Sequence, residues 1–264
     1  MNALGNIVFA LFLLTGVFIY VSLIRQISTR TPPSSEESNR TFGVPEAIVA
    51  ALLISFLLLN VFVSVSRPTR QLTSADLAAN LVLILVIVVM LAGFLKLRGL
   101  DFEQLGGFSK IGFLRAVSTG AVLLLAAWPL LVFVEALTRR LFGNGSSRQD
   151  IIEFFSSSGT IQQRILIIVL AVAIAPMVEE FLFRFFLYGI FRRYFGRFVG
   201  LIVNALLFAA VHAHLPSLAP LFVLGACFTL AYEWSGSILV AMSMHALFNA
   251  IQLTFLAFPE VYQQ

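Results

Sequence analysis

Two adjacent carboxylates, Glu179 and Glu180, sit with Arg184 inside the apolar run AIAPMVEEFLFR. Farther along, His212 closes the stretch FAAVH behind Phe208, and His245 and Asn249 share MHALFN. Ionisable side chains inside a membrane segment cost several kcal/mol, so they face a bundle interior or a water-filled cavity and mark functional sites. Carboxylates, imidazoles and an amide recurring on successive apolar segments read as an active site rather than as scattered polar glue.

On a helix, Glu180 and Arg184 are four apart and lie on one face, where they can pair. Glu179 is turned about 100° away. One carboxylate can therefore be neutralised structurally while the other stays free for proton chemistry, although a simple Glu-Glu-Arg charge network fits the same residues. Phe208 and His212 also share a face, and a lone histidine in an apolar stretch is more often a satisfied core residue than a catalyst. His214 stands where its segment ends, before Leu215-Pro216, and reads as an exit residue. Asn204 reads as a partner between buried helices. His245 and Asn249 can both donate towards one point, as a developing oxyanion requires. The bland reading is interhelical glue, at about 0.6 kcal/mol per bond.

These groups need helices to carry them, and the composition supplies little else. Of 264 residues, 59% are hydrophobic and only 11% charged, with 27 phenylalanines. A soluble domain has about 25% charged residues, so this is the balance of a membrane protein. The single cysteine, Cys227, excludes an intramolecular disulfide and a multi-cysteine metal site. The net charge of +4 comes from arginine-rich loops suited to anionic lipid, and no long basic face points to nucleic acid. A span takes about 20 apolar residues. Eight stretches qualify: 5–24, 45–65, 77–96, 114–136, 162–190, 198–214, 217–234 and 237–258. The expected fold is an all-α polytopic membrane protein of about eight transmembrane helices, with the site buried among the last four. Residues 1–136 form an N-terminal membrane region and 137–161 an amphipathic connecting loop. Residues 162–264 form the core that carries the chemistry.

The segment 25–43 reads as a loop, and 99–112 as an interfacial stretch. The N-terminus lacks the basic start of a cleaved signal peptide and reads as a retained first span. With that end outside, the inner loops hold Arg25, Arg30, Arg40, Lys96, Arg98, Lys110, Arg115, Arg192, Arg193 and Arg197. The outer loops hold the smaller set Arg67, Arg70, Arg139, Arg140, Arg148 and Arg164. The positive-inside rule therefore favours both termini outside. Gly106-Gly107 and Gly143-Asn144-Gly145 lack the strand and helix context of a phosphate-binding loop.

Glu179-Glu180-x-x-x-Arg184, Phe208-x-x-x-His212 and His245-x-x-x-Asn249, in this order, resemble the motif set of the CPBP family (CAAX protease and bacteriocin-processing). The group is also called ABI or type II CAAX prenyl endopeptidases. The likeness covers roughly residues 170–255. It implies a glutamate-dependent intramembrane endopeptidase acting on a membrane-associated or lipidated peptide. By that likeness Glu179 and His212 activate a water, His245 and Asn249 stabilise the oxyanion, and Glu180 with Arg184 and Phe208 supports them. No cofactor is expected. The rival within the enzyme class is a zinc protease, since two histidines and a glutamate make a catalytic ligand set, although the compact His-Glu-x-x-His pattern is absent. The rivals outside it are a membrane scaffold or bacteriocin-immunity protein, or a proton-coupled transporter. Expected partners are membrane lipid and the peptide or lipidated substrate. The expected location is the cytoplasmic membrane of a bacterium, with the site towards the cytoplasmic side.

Overall fold

The computed structural model describes residues 3–30, 42–66, 74–142 and 160–258, and every element among them is helical. Helices α1 (Ala3–Ser28), α2 (Val44–Ser66) and α3 (Ser74–Leu97) are apolar nearly all round and turn much of that surface outward, through residues such as Leu4, Ile48 and Met90. Apolar side chains exposed on every side are what lipid, rather than water, rewards. The expected loop 25–43 begins later than its sequence suggests, because α1 runs on to Ser28; residues 31–41 lie outside the described ones.

A short helix, α4 (Phe102–Gly106), follows α3, where the sequence reads as interfacial. Asp101 caps it by accepting from the amides of Glu103 and Gln104. Glu103 accepts from the hydroxyl and amide of Ser109, and these bonds hold its carboxyl below the ordinary glutamate value. The ring of Phe102 then stands edge-on against Phe181 and Phe185, at 6.2 and 5.4 Å, tying the interfacial turn to the segment just after the glutamate pair. Helix α5 (Phe113–Phe142) outlasts its expected end at residue 136. The remainder of the connecting stretch, with Gly143-Asn144-Gly145, lies outside the described residues apart from Thr160 and Ile161.

From Ile161 to Val211 the chain is helical apart from one kink. It comprises α6 (Ile161–Val169), a π segment (Leu170–Ile174), α7 (Ala175–Glu180), a second π segment (Phe181–Leu187) and α8 (Tyr188–Val211). At 1.5 Å per residue such a stretch would reach about 75 Å, more than twice a bilayer core of about 30 Å. It folds at Gly196, whose φ of 79° and ψ of 172° belong to no helix and suit only glycine. Seven described helices are long and apolar enough to span a membrane, and this longest one supplies two limbs. The eight expected spans thus correspond to seven helices, one of them bent double. The chain then returns through α9 (Leu218–Ser235) and α10 (Ile238–Ala257).

The core lies in the C-terminal half. Helix α5 packs against α1, α9 and α10, while α9 also meets α8 and α10, and α10 meets α7 and the first π segment. One end of this bundle carries a polar collar. Arg192 and Arg197 pair with Glu233 at 2.8 and 3.2 Å, and Tyr188 donates to the same carboxylate at 3.0 Å. Arg197 and Arg30 bridge to backbone carbonyls of Ile27 and Glu233, Trp234 donates to Gln26, and Arg98 pairs with Glu46 at 2.8 Å. Basic residues assigned to one set of loops by counting thus meet at one end of the molecule.

Candidate active site

The two glutamates project from α7, a single turn set between two π segments. The first π segment has a local cause. Pro176 has no N–H and its ring crowds the carbonyl one turn back, so a regular ladder cannot pass. The amide of Ala175 reaches back to Leu170, one residue beyond the α register. That leaves the carbonyl of Ala171 facing Pro176 as its ladder partner, which has nothing to donate. Asn249 on α10 supplies the missing hydrogen, its Nδ2 lying 2.8 Å from Ala171 O. π segments of this kind concentrate at functional sites.

Glu180 is fully buried. Its Oε1 accepts from Arg184 Nη1 and faces His245 Nδ1, both at 2.9 Å. The pairing of Glu180 with Arg184, read from their spacing, is present. Glu179 is turned away from it, and its Oε2 stands 3.9 Å from His245 Nε2. His245 is therefore held between the two carboxylates. Glu179 Oε2 and Glu180 Oε2 are both buried without a protein hydrogen-bond partner. Two adjacent carboxyl groups, one guanidinium and one imidazole thus meet in an apolar setting, where low dielectric strengthens each polar contact.

Rings enclose this group. The Arg184 guanidinium lies 4.4 Å from the Phe208 ring, 5.1 Å from Phe228 and 5.9 Å from Phe183, within cation–π range. Phe228 stacks on His245 at 4.8 Å, and Phe208 meets the rings of His212 and His245 edge-on at 4.8 and 6.0 Å. Glu180 and His212 are equidistant from Gly196 along the chain, so the fold at that glycine returns His212 to the depth of the glutamates. His212 Nδ1 lies 2.7 Å from the Phe208 carbonyl. A carbonyl only accepts, so Nδ1 bears the hydrogen and Nε2 is the acceptor nitrogen of the neutral ring.

Glu179, Glu180, Arg184, Phe208, His212 and His245 thus form one connected cluster. Asn249 enters differently from its sequence reading: its amide is committed to Ala171 O, and His245 turns its nitrogens to the carboxylates, so the two do not converge on one point here. His214 lies beyond the helix end, bonded to Ser217 at 2.7 Å. Among the described residues no three His, Cys, Asp or Glu side chains are grouped so as to hold a metal ion. Two contributors escape sequence reading, Phe228 and the Gly225 carbonyl, which accepts from Arg184 Nη2 at 3.1 Å. Both lie on α9, an apolar segment without charged residues at their depth; only the small run Gly225-Ala226-Cys227 signals a close approach.

Residues 161–251 match the family model of the type II CAAX prenyl endopeptidase Rce1-like proteins. This region is Rce1-like. It contains all seven residues of the three motifs and runs from the start of α6 into α10. No curated protein and no solved structure matches the chain. The Rce1-like match supports a CAAX-type membrane peptidase and hence a hydrolase acting on membrane-associated peptides.

Proposed function

We propose that the protein is a glutamate-dependent intramembrane endopeptidase that cleaves a lipidated or membrane-associated peptide with activated water. The observation that carries this reading is His245 held between the buried Glu180 and the half-buried Glu179, with one oxygen of each carboxylate, Oε2, buried and without a protein hydrogen-bond partner. Glu179 Oε2, 3.9 Å from the imidazole and without a protein hydrogen-bond partner, is able to accept from a water. Glu179 accepts a proton from such a water as its oxygen bonds to the scissile carbonyl carbon. His212 Nε2 orients the water. The carbonyl oxygen becomes an oxyanion, and His245 and Asn249, which stand apart in the free protein, turn to it as donors when substrate enters. On collapse the C–N bond breaks, and the proton held by Glu179 passes to the leaving amine. Glu180 and Arg184 hold the imidazole in place.

A positioned general base contributes about 10²–10⁴-fold, and loss of an oxyanion donor costs about 10²–10³-fold in turnover. The test is cleavage of a quenched-fluorescent farnesylated CAAX peptide by purified protein in detergent, with Glu179→Ala and His212→Ala in parallel, with and without a strong chelator. Cleavage by the wild type, loss in both mutants and indifference to chelator are expected. Wild-type turnover in either mutant would overturn the role assignments. Loss of activity on chelation, restored by zinc, would favour the zinc protease instead.

A further inference from the structure

The mechanism uses Arg184 but not what fixes its far side. Arg184 donates from Nη2 to Gly225 O at 3.1 Å, and the same carbonyl accepts from the Thr229 hydroxyl at 2.9 Å. Thr229 Oγ1 in turn accepts from Asn204 Nδ2 at 3.2 Å. Asn204, Thr229 and Arg184 are all fully buried, on three different turns of α8, α9 and the second π segment. A carbonyl reaches the guanidinium because Gly225 has no side chain: a Cβ there would stand 3.0 Å from the Phe208 ring and 3.5 Å from Arg184 Nη2. A hydroxyl that both donates and accepts is the one group in this chain of contacts that can link an amide donor to a carbonyl acceptor.

We propose that Thr229, held by Asn204, is a positioning residue that fixes the Gly225 carbonyl and so sets the placement of Arg184, Glu180 and His245. The inference rests on the protease reading for its effect on turnover, but not for its effect on His245. Each link is a buried hydrogen bond, so removing one member releases the next. His245 meets Glu179 and Glu180 from α7, Phe228 from α9 and Phe208 from α8, with Arg184 behind Glu180. No other charged group touches it among the described residues.

The decisive variant is Thr229→Val, which deletes the hydroxyl at nearly constant volume, with Thr229→Ser as the conservative return. Two readouts apply. With only three histidines in the chain, ¹⁵N-histidine labelling of the detergent-solubilised full chain gives ring signals assignable by single His→Gln variants. Thr229→Val is expected to move the His245 ring-nitrogen signals while leaving those of His214 in place, and Thr229→Ser to restore them. In the peptide assay, turnover should fall about 10- to 100-fold at unchanged KM, the scale of a small misplacement in a reacting site. Wild-type His245 signals in a folded Thr229→Val protein would overturn the proposal, as would a loss of melting temperature alone with kcat kept. If no peptide is cleaved even by the wild type, the protease reading fails while the histidine signals still decide this one. Asn204→Leu serves as the second variant if Thr229→Val does not fold, with the same two outcomes.

Discussion

Arg184 carries five N–H donors into a fully buried position, and its bonds run to Glu180 and Gly225 while Nε has no protein partner. Three rings take up the faces of the guanidinium. Such an ion pair is held less by its own attraction than by the cost of separating it. Removing one partner strands the other charge, typically at about 3–5 kcal/mol, whereas replacing both with neutral groups costs far less. Arg184→Met is therefore expected to lower the melting temperature in detergent steeply, and the double variant Glu180→Gln with Arg184→Met to recover most of the loss. Equal loss in both would mean that packing of the arginine stem, not charge, holds the site. Glu179, half-buried on the other face of the turn, has no such partner, and Glu179→Gln should melt within a few degrees of the wild type.

At the level of elements, the irregular helix around the glutamates is tied to α10 by the Asn249 amide as well as by His245. If Asn249 serves to satisfy Ala171 O, its loss costs about 1–3 kcal/mol as an orphaned buried carbonyl. Pro176→Ala would supply the absent N–H from within the helix. A double-mutant cycle is expected to show strong coupling, with Asn249→Ala much less damaging to thermal stability in the Pro176→Ala background. Strict additivity would show that the two sites do not share the Ala171 carbonyl. This bond also marks how far the sequence could be read. The four-residue spacings of Glu180 with Arg184 and Phe208 with His212 predict shared faces, and both pairs are in contact. The break between the fifth and sixth spans was legible because Arg192, Arg193 and Arg197 interrupt the apolar run around Gly196. The π segments were not, because their apolar residues suit an α-helix equally well and only the register of backbone bonds distinguishes them. Thr229 looked like one hydroxyl in an apolar helix; its role depends on which carbonyl α8 and the second π segment bring beside it.

At the scale of the whole molecule, the collar fixes which helix ends lie together. Helix α1 enters it at Gln26 and α9 at Glu233, and α10 departs from just beyond it at Ile238. The start of α1 and the end of α10 therefore lie at the opposite end. Glu180 is one and a half times as far from Arg192 as Arg184 is, about 18 Å into the bundle at helical rise. That is near the middle of a bilayer core of about 30 Å. If the arginine-rich collar obeys the positive-inside rule, a reporter fused to the C-terminus reads as external. An alkaline phosphatase fusion is then expected to be active and a green fluorescent protein fusion dark; the reverse would invert the molecule in its membrane.

The order in which these helices are made gives the Glu180–Arg184 pair a further consequence. A chain grows from its N-terminus, so α7 and the second π segment emerge well before the last helix, which bears His245. During that interval neither Glu180 nor Glu179 has the His245 imidazole to meet. Arg184, one turn away on the same helix, already pairs with Glu180, so the newborn segment crosses into lipid with that arginine and carboxylate matched. Under the proposed mechanism, the proton-handling centre is completed only when α10 arrives. Until then the membrane holds a protein that is stapled but chemically unarmed.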